Sequence, residues 1–344
     1  MNDKKNIKGT ILEIVRMSTE DGPGIRTTVF MKGCSLKCSW CHNPESLSMN
    51  PQVQWVASSC IGCGHCLEVC PTGALKRENN KILIDRKNCT GCGTCAETCP
   101  AMAMELLGRQ WDSEELVTEL LKDRAWFEKS GGGVTLSGGE AALQAEFSLQ
   151  VLRRLREEGI RTALDTCGQI RWEALEKLLP YSDLVLYDLK EIDPLLHKEF
   201  TAVSNELILD NFLKIGRFMK NHILPSSLWI RTPVIPGATA TEKNITGIGD
   251  FLKSNFKGSF DRWELCAFNN LCRDKYLRLG TRWKFHDREL LSSKEMEYLT
   301  GLARSTGVDP SLIIWTGSTR LEDNDTMEKE NNSTSDSIKR PGTC

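Results

Sequence analysis

The sequence predicts an α/β fold, a partial (β/α)6 barrel of parallel strands interrupted by a small cysteine-rich insert. From about residue 105 onward, short apolar runs alternate with amphipathic ones, the pattern of strands joined by helical crossovers. Residues 52–104 break that pattern with short segments, many glycines and two Cys-Pro pairs. A chain of 344 residues, 40% of them hydrophobic, can bury one large core and still carry a smaller module. The expected division is a discontinuous barrel over 1–51 and 105–320, an insert over 52–104 and a polar tail over 321–344.

The elements follow in order. Thr10–Val15 and Thr27–Met31 alternate like strands and flank a Gly/Pro turn at Asp21–Gly24. Beyond the insert, Asp112 opens a helix with Glu115 three residues on, a capping-box pattern. Leu116, Val117, Leu120 and Leu121 form its apolar face. Val134–Leu136 reads as a strand and Leu143–Glu158 as a helix, with Phe147, Val151 and Leu155 four apart. Thr162–Leu164 is a strand, Trp172–Leu179 a helix and Leu184–Leu189 a buried strand. A helix near 205–220 precedes strand Leu228–Ile235, and a helix near 241–253 precedes strand Trp263–Phe268. Helix Ser293–Ser305 precedes the short run Leu312–Trp315. Six core strands suit a partial barrel of the TIM type, whose chemistry sits at the carboxyl ends of its strands. The tail from Glu322 on is nearly all polar and is expected to be disordered.

Composition excludes several function classes. A net charge of −2 gives no general attraction to nucleic acid. The amino-terminal MNDKKNIKG lacks the apolar stretch of a secretory signal. No apolar run approaches the roughly 18 residues that a membrane helix needs. A cytoplasmic monomer is expected. Of 15 cysteines, eleven fall in three tight clusters, which in a reducing compartment mark metal ligands rather than disulfides. Cys167, Cys266, Cys272 and Cys344 fit no cluster spacing and read as free thiols.

The first cluster, Cys34-x3-Cys38-x2-Cys41, follows a strand. Three thiolates on one loop can hold three irons of a cubane and leave the fourth iron open to substrate, the distinction that separates catalytic from structural metal sites. A zinc site with a distant fourth ligand is the alternative, although zinc knuckles usually pair Cys-x2-Cys units. The other two clusters are Cys60-x2-Cys63-x2-Cys66-x3-Cys70-Pro71 and Cys89-x2-Cys92-x2-Cys95-x3-Cys99-Pro100. This is the bacterial two-cluster ferredoxin spacing stated twice, in which the fourth cysteine of each run serves the other cluster. Cys60, Cys63, Cys66 and Cys99 would hold one [4Fe–4S] cluster, and Cys89, Cys92, Cys95 and Cys70 a second. A pair of zinc knuckles is the alternative there.

These motifs resemble a family. Cys34–Cys41 matches the signature loop of radical S-adenosylmethionine (SAM) enzymes. The wider block, Asp21-Gly22-Pro23-Gly24-Ile25-Arg26 with His42-Asn43-Pro44, looks like the glycyl radical enzyme activases. The likeness continues through Ser137-Gly138-Gly139-Glu140-Ala141, Asp165-Thr166, Asp188-Leu189-Lys190 and Val234-Ile235-Pro236-Gly237, in the expected order, to about residue 318. Pyruvate formate-lyase activase is similar over the barrel but lacks the insert.

The resemblance implies three [4Fe–4S] clusters and SAM. Reductive cleavage at the Cys34, Cys38 and Cys41 cluster would give a 5′-deoxyadenosyl radical. That radical would abstract hydrogen from one glycine of a partner glycyl radical enzyme. Gly138, Gly139 and Glu140 would face the methionyl ammonium, and Trp40, Cys41 and His42 the adenine. Asp165, Asp188, Leu189, Lys190 and Arg231 would lie along the SAM pocket. Asn269 stands where many activases carry histidine, so its nucleoside-contacting role is unsupported by the match. The insert would relay an electron from flavodoxin or ferredoxin, or else dock the partner. Two other functions stay open: radical chemistry on a small molecule, and a ferredoxin-type electron carrier. No motif selects the partner enzyme.

Overall fold

The computed structural model describes residues 7–256 and 260–320, so the polar tail lies outside the described residues. In chain order the strands are β1 (Lys8–Ser18), β2 (Arg26–Met31), β3 (Gln52–Trp55), β4 (Leu75–Glu78), β5 (Lys81–Ile84), β6 (Met104–Leu107) and β7 (Arg109–Asp112). They continue with β8 (Gly133–Gly138), β9 (Arg161–Thr166), β10 (Leu184–Asp188), β11 (Ser227–Val234), β12 (Arg262–Ala267) and β13 (Ile313–Thr316).

Nine strands form one sheet in the order β13-β12-β11-β10-β9-β8-β2-β1-β7. From β2 to β13 every neighbouring pair is parallel. The six expected core strands stand side by side in chain order, and β13 adds a seventh. β1 lies antiparallel on β2, and β7 antiparallel on β1. The polar Arg-Gln-Trp-Asp of β7 carries no strand pattern of its own, and pairing alone makes it one. The strand order ends at β7 and β13, which leaves the barrel open.

Period-two alternation sorts the side chains into an outer and an inner face. On β11, Leu228, Ile230 and Val234 enter the core beneath the helices, as do Trp263 and Leu265 on β12. The inner face is apolar near the amino ends, where Ala163, Leu184 and Leu186 cluster with Trp229. One step further along the same faces it becomes charged, at Asp165, Asp188, Arg231 and Glu264. Arg231 pairs in register with Asp188 on one side and Glu264 on the other.

Crossover helices cover the outer face. Asp112 caps helix Ser113–Leu120 by accepting from the Glu114 and Glu115 amides. A full reciprocal box closes between Ser292 and Glu295. The expected helix from Leu143 begins at Ala145, preceded by a 3-10 turn over Ala141–Gln144. Helices Pro194–Thr201 and Arg273–Leu279 lie beyond the sequence expectation. The first does carry a start signal, the Asp193 cap followed by Pro194. No helix of the described residues is long and apolar enough to cross a membrane.

The cysteine-rich segment folds beside the barrel. β3 and β6 pair antiparallel at its two ends. β4 and β5 form a hairpin whose turn residues Asn79 and Asn80 have φ of 47° and 61°, as a tight type I′ turn requires. Each cysteine run contains a one-turn helix, His65–Glu68 or Thr94–Glu97, entered through a left-handed glycine, Gly64 or Gly93. Val53, Leu75, Ile82, Cys95 and Met104 form its small core.

Candidate active site

The three-cysteine loop leaves the carboxyl end of β2 and is pinned on both sides. The Lys37 and Ser39 amides donate to the carbonyls of Thr201 and Phe200, at 2.9 and 2.8 Å. These carbonyls end helix Pro194–Thr201 and have no partner within it. Leu36 is buried in the barrel core. The Tyr276 hydroxyl donates to the Cys41 carbonyl at 2.8 Å. Cys34, Cys38 and Cys41 all line one cavity of about 410 Å3, at the carboxyl ends of the parallel strands. Burial pushes the Cys38 thiol up to about 11 and the Cys41 thiol higher still. A hydrogen bond with Cys167 lowers Cys34. Cys38 and Cys41, costly to ionise alone, suit a cationic metal group, which deprotonates coordinating thiols outright. Among the described residues no three His, Cys, Asp or Glu donors converge as one metal ion would require.

Ten of the twelve residues expected around SAM line this same cavity: Trp40, Cys41, His42, Gly138, Gly139, Asp165, Asp188, Lys190, Arg231 and Asn269. Gly138 has φ +107°, and a Cβ there would stand 2.2 Å from the Met31 amide nitrogen. A Cβ on Gly139 would stand 2.0 Å from the Gly33 carbonyl oxygen. Both glycines therefore let the end of β8 lie directly against the start of the cysteine loop.

Glu140 and Leu189 do not line the cavity. The Glu140 carboxylate is fully buried and accepts from Thr166 Oγ1 and the Cys167 amide at 2.9 Å each, Cys167 Sγ at 3.1 Å and the Ala142 amide at 3.1 Å. The turn after Gly139 aims it into the wall, where it holds Cys167 behind Cys34. Leu189 follows Asp188 on an alternating strand end and so points into the core.

The charged groups pair across the cavity. Lys190 Nζ bonds Asp188. Burial lowers the Lys190 pKa, but Asp188 and the Cys38 and Cys167 thiols outweigh it, so the ammonium is held above its ordinary value. Arg231 bonds Glu264 at 3.1 Å and lies 3.9 Å from Asp21 and 4.0 Å from Asp165. Asp165 accepts from Ser137 Oγ at 2.6 Å, yet burial and the Asp188 charge push its pKa up to about 7. Asp21, the first residue of the Asp-Gly-Pro-Gly turn, and Glu20 just before it also line the cavity. Asp21 Oδ2 accepts from Ser18 and Thr28 at 2.6 Å each.

On the opposite wall, His42 Nε2 bonds the Asn269 carbonyl oxygen at 3.0 Å, and burial lowers its pKa. Trp40 packs with Phe200, Phe268, Trp283 and Phe285. The Asn269 side chain accepts from the Leu271 amide at 3.2 Å. Sequence reasoning missed Asp21 as a wall residue, together with Glu264, Cys266 and Thr316. The signal for Glu264 and Cys266 was period two on β12.

In the insert, electrostatics group the thiols. After burial, Cys66 is raised by Cys63, Cys99 and Cys60, and Cys95 by Cys89, Cys92 and Cys70. Cys70, Cys89, Cys92 and Cys95 also border one small cavity. Cys167 and Cys272 are buried free thiols, and Cys266 is a half-buried one. Cys344 lies outside the described residues.

The family model described as the Radical SAM superfamily matches residues 28–245. The (2S)-3-sulfopropanediol dehydratase activating enzyme of Klebsiella oxytoca is 40% identical over 80% of this chain and 87% of its own. The trans-4-hydroxy-L-proline dehydratase activating enzyme of Clostridioides difficile is 36% identical over 88% of this chain and 98% of its own. The (2S)-3-sulfopropanediol sulfolyase activating enzyme of Bilophila wadsworthia is 38% identical over 80% of this chain and 90% of its own. The superfamily match implies a [4Fe–4S] cluster and SAM. The chain belongs to the radical SAM superfamily and, within it, to the glycyl radical enzyme activating enzymes.

Proposed function

We propose that this chain cleaves SAM reductively at a cluster held by Cys34, Cys38 and Cys41 and passes the radical to a specific glycine of a partner glycyl radical enzyme. The supporting observation is the convergence of three thiols, two glycines and the Asp188–Lys190 and Arg231–Glu264 pairs on one cavity at the strand carboxyl ends. A cluster held by Cys34, Cys38 and Cys41 would supply one electron for reductive cleavage of SAM to methionine and a 5′-deoxyadenosyl radical, which would take a hydrogen atom from the glycine.

The protein's own groups hold and orient. Cys34, Cys38 and Cys41 would hold the cluster through three thiolates, which would leave one iron without a protein ligand. Gly138 and Gly139 offer backbone carbonyls where a side chain would obstruct. Asp188, Lys190, Asp165 and Arg231 supply charges for the zwitterionic methionyl end and the ribose. Trp40, His42 and the Asn269 backbone form the adenine side. Burial lowers the His42 pKa, which disfavours its charged form. Glu140 acts indirectly, by fixing Cys167.

Cys60, Cys63, Cys66 and Cys99 would hold a second cluster, and Cys70, Cys89, Cys92 and Cys95 a third. The mutual electrostatic reach within each set supports this assignment. The insert would relay electrons from a flavodoxin or ferredoxin to a cytoplasmic monomer. Relatives of similar identity carry names with different partners, a dehydratase and a choline trimethylamine-lyase among them, so identity does not select this chain's partner.

The test is anaerobic reduction of the reconstituted protein with SAM, followed by assay for 5′-deoxyadenosine. Addition of a candidate partner should give a glycyl radical doublet by EPR. A fully loaded protein that releases no 5′-deoxyadenosine refutes the proposal. Cys63→Ala and Cys92→Ala should each cost one insert cluster and spare dithionite-driven cleavage while abolishing flavodoxin-driven activation. Undiminished activation with both donors removes the relay.

A further inference from the structure

Resting on the reading of the insert as a two-cluster relay, we propose that Cys70, Cys89, Cys92 and Cys95 form its inner site and that Tyr276 bridges that site to the Cys34–Cys41 loop.

The bridge is built from helix Arg273–Leu279, which touches both partners. Toward the barrel, Tyr276 Oη donates to the Cys41 carbonyl at 2.8 Å. Lys275 Nζ donates to Asn43 Oδ1 at 2.9 Å and pairs with Glu45 at 2.8 Å. Toward the insert, Arg86 donates to the Arg278 carbonyl at 3.1 Å and to the Val53 carbonyl of β3 at 2.5 Å. One guanidinium thus ties the insert to the helix. Between these anchors lies a cavity whose lining includes Cys89, Arg86, Tyr276 and Pro44. Cys89 therefore lines the same cavity, of about 400 Å3, as the ring whose hydroxyl holds Cys41.

The order of the two sites follows from what each loop faces. A Cβ on Gly91, between Cys89 and Cys92, would stand 2.2 Å from the Pro51 carbonyl oxygen. That loop is pressed onto the chain leaving the three-cysteine loop. A Cβ on Gly62, its counterpart between Cys60 and Cys63, would meet only the Arg77 side chain of the insert's own hairpin, at 2.8 Å. Cys63 and Cys92 are both exposed, but Gly91, Gly93 and Cys95 of the second run are buried, whereas Gly62, Gly64 and Cys66 of the first are only half-buried. The first run is thus the solvent-facing port, where a low-potential flavin or iron–sulfur carrier protein is oxidised by one electron. That electron passes from the outer site to the inner site and across Tyr276 to the three-cysteine site. No bond forms or breaks, no proton moves, and Tyr276 remains a neutral phenol throughout.

The experiment uses the full chain with its clusters reconstituted and photoreduced flavodoxin as donor. Freeze-quench EPR follows reduction of the three-cysteine site. Tyr276→Leu should slow that step by about tenfold or more, equivalent to roughly 1.4 kcal/mol of barrier. Iron content and the dithionite endpoint spectrum should not change. Tyr276→Phe keeps the ring and should slow it less. In the fully reduced protein, spin coupling to the three-cysteine site should vanish in Cys92→Ala and persist in Cys63→Ala, a readout that does not depend on turnover or on the Tyr276 variants folding. The reverse coupling pattern, or an unslowed Tyr276→Leu in protein with a full iron count, overturns the bridge. A wild-type protein whose iron count leaves no clusters for the insert overturns the relay reading itself, and iron analysis separates that result from the first.

Discussion

Asp165→Asn should stabilise the metal-free chain at neutral pH, although it removes a carboxylate from the candidate active site. Asp165 lies near Asp188 and is shielded from solvent, so its pKa rises from 3.8 to about 7. Between those values the folded chain keeps a proton that the unfolded chain has released, and stability falls as pH rises. At 1.36 kcal/mol per pH unit, the penalty above pH 7 is at most about 4 kcal/mol. The side chain is 19% exposed to a cavity that admits water, and Arg231 stands 4.0 Å away. Solvent relaxation and the lost attraction to Arg231 reduce the expected gain to about 1–2 kcal/mol. Ser137 can still donate to the Asn amide oxygen. The assay is urea unfolding of the cluster-free protein, wild type against variant, at two pH values. The gain should be full at about pH 8 and shrink to roughly a third of that at about pH 5. Equal differences at both pH values, or a variant less stable at the higher one, would refute the reasoning.

Three further substitutions test the walls. Glu140→Ala strands the Ala142 and Cys167 amides and the Thr166 hydroxyl without an acceptor. It should cost about 3 kcal/mol in the same unfolding assay, and a loss below about 1 kcal/mol would mean that water replaces the carboxylate. Gly139→Ala drives a Cβ to 2.0 Å from the Gly33 carbonyl oxygen, so the cysteine loop must move. Iron reconstituted at the three-cysteine site should drop, while iron in the insert should not. Arg26→Lys cannot satisfy both Thr135 Oγ1 and the Val134 carbonyl, which Arg26 reaches at 2.6 and 2.7 Å while fully buried. A loss of about 2 kcal/mol is expected, and an unchanged urea midpoint would show that the barrel floor tolerates the gap.

Local patterns were the legible ones. Strands β2, β8, β9, β10, β11 and β12 carried apolar runs long enough to be identified, and alternation with helices made them parallel. Cysteine spacing named all eleven clustered thiols, because a metal cluster fixes ligand separation along the chain. β7 escaped because its polar residues become a strand only by pairing with β1. Helix Arg273–Leu279 escaped because its first turn lacks a capping side chain. Glu140 was misjudged for a related reason. Its place after Ser137-Gly138-Gly139 put it beside the pocket in sequence, while a 3-10 turn carried its carboxylate behind the wall.

The sequence by itself determined the fold class, the cysteine loop and the cysteine spacings of the insert, because each depends on residues close together in the chain. Only the tertiary structure decided which side chains share the cavity. Asp21, Asp165, Arg231 and Glu264 come from four separate segments and meet because β9–β12 lie adjacent above the β1–β2 turn. It also decided that Tyr276, whose hydroxyl holds the Cys41 carbonyl, lines the same cavity as Cys89, a placement of residues far apart in the chain that no local pattern encodes.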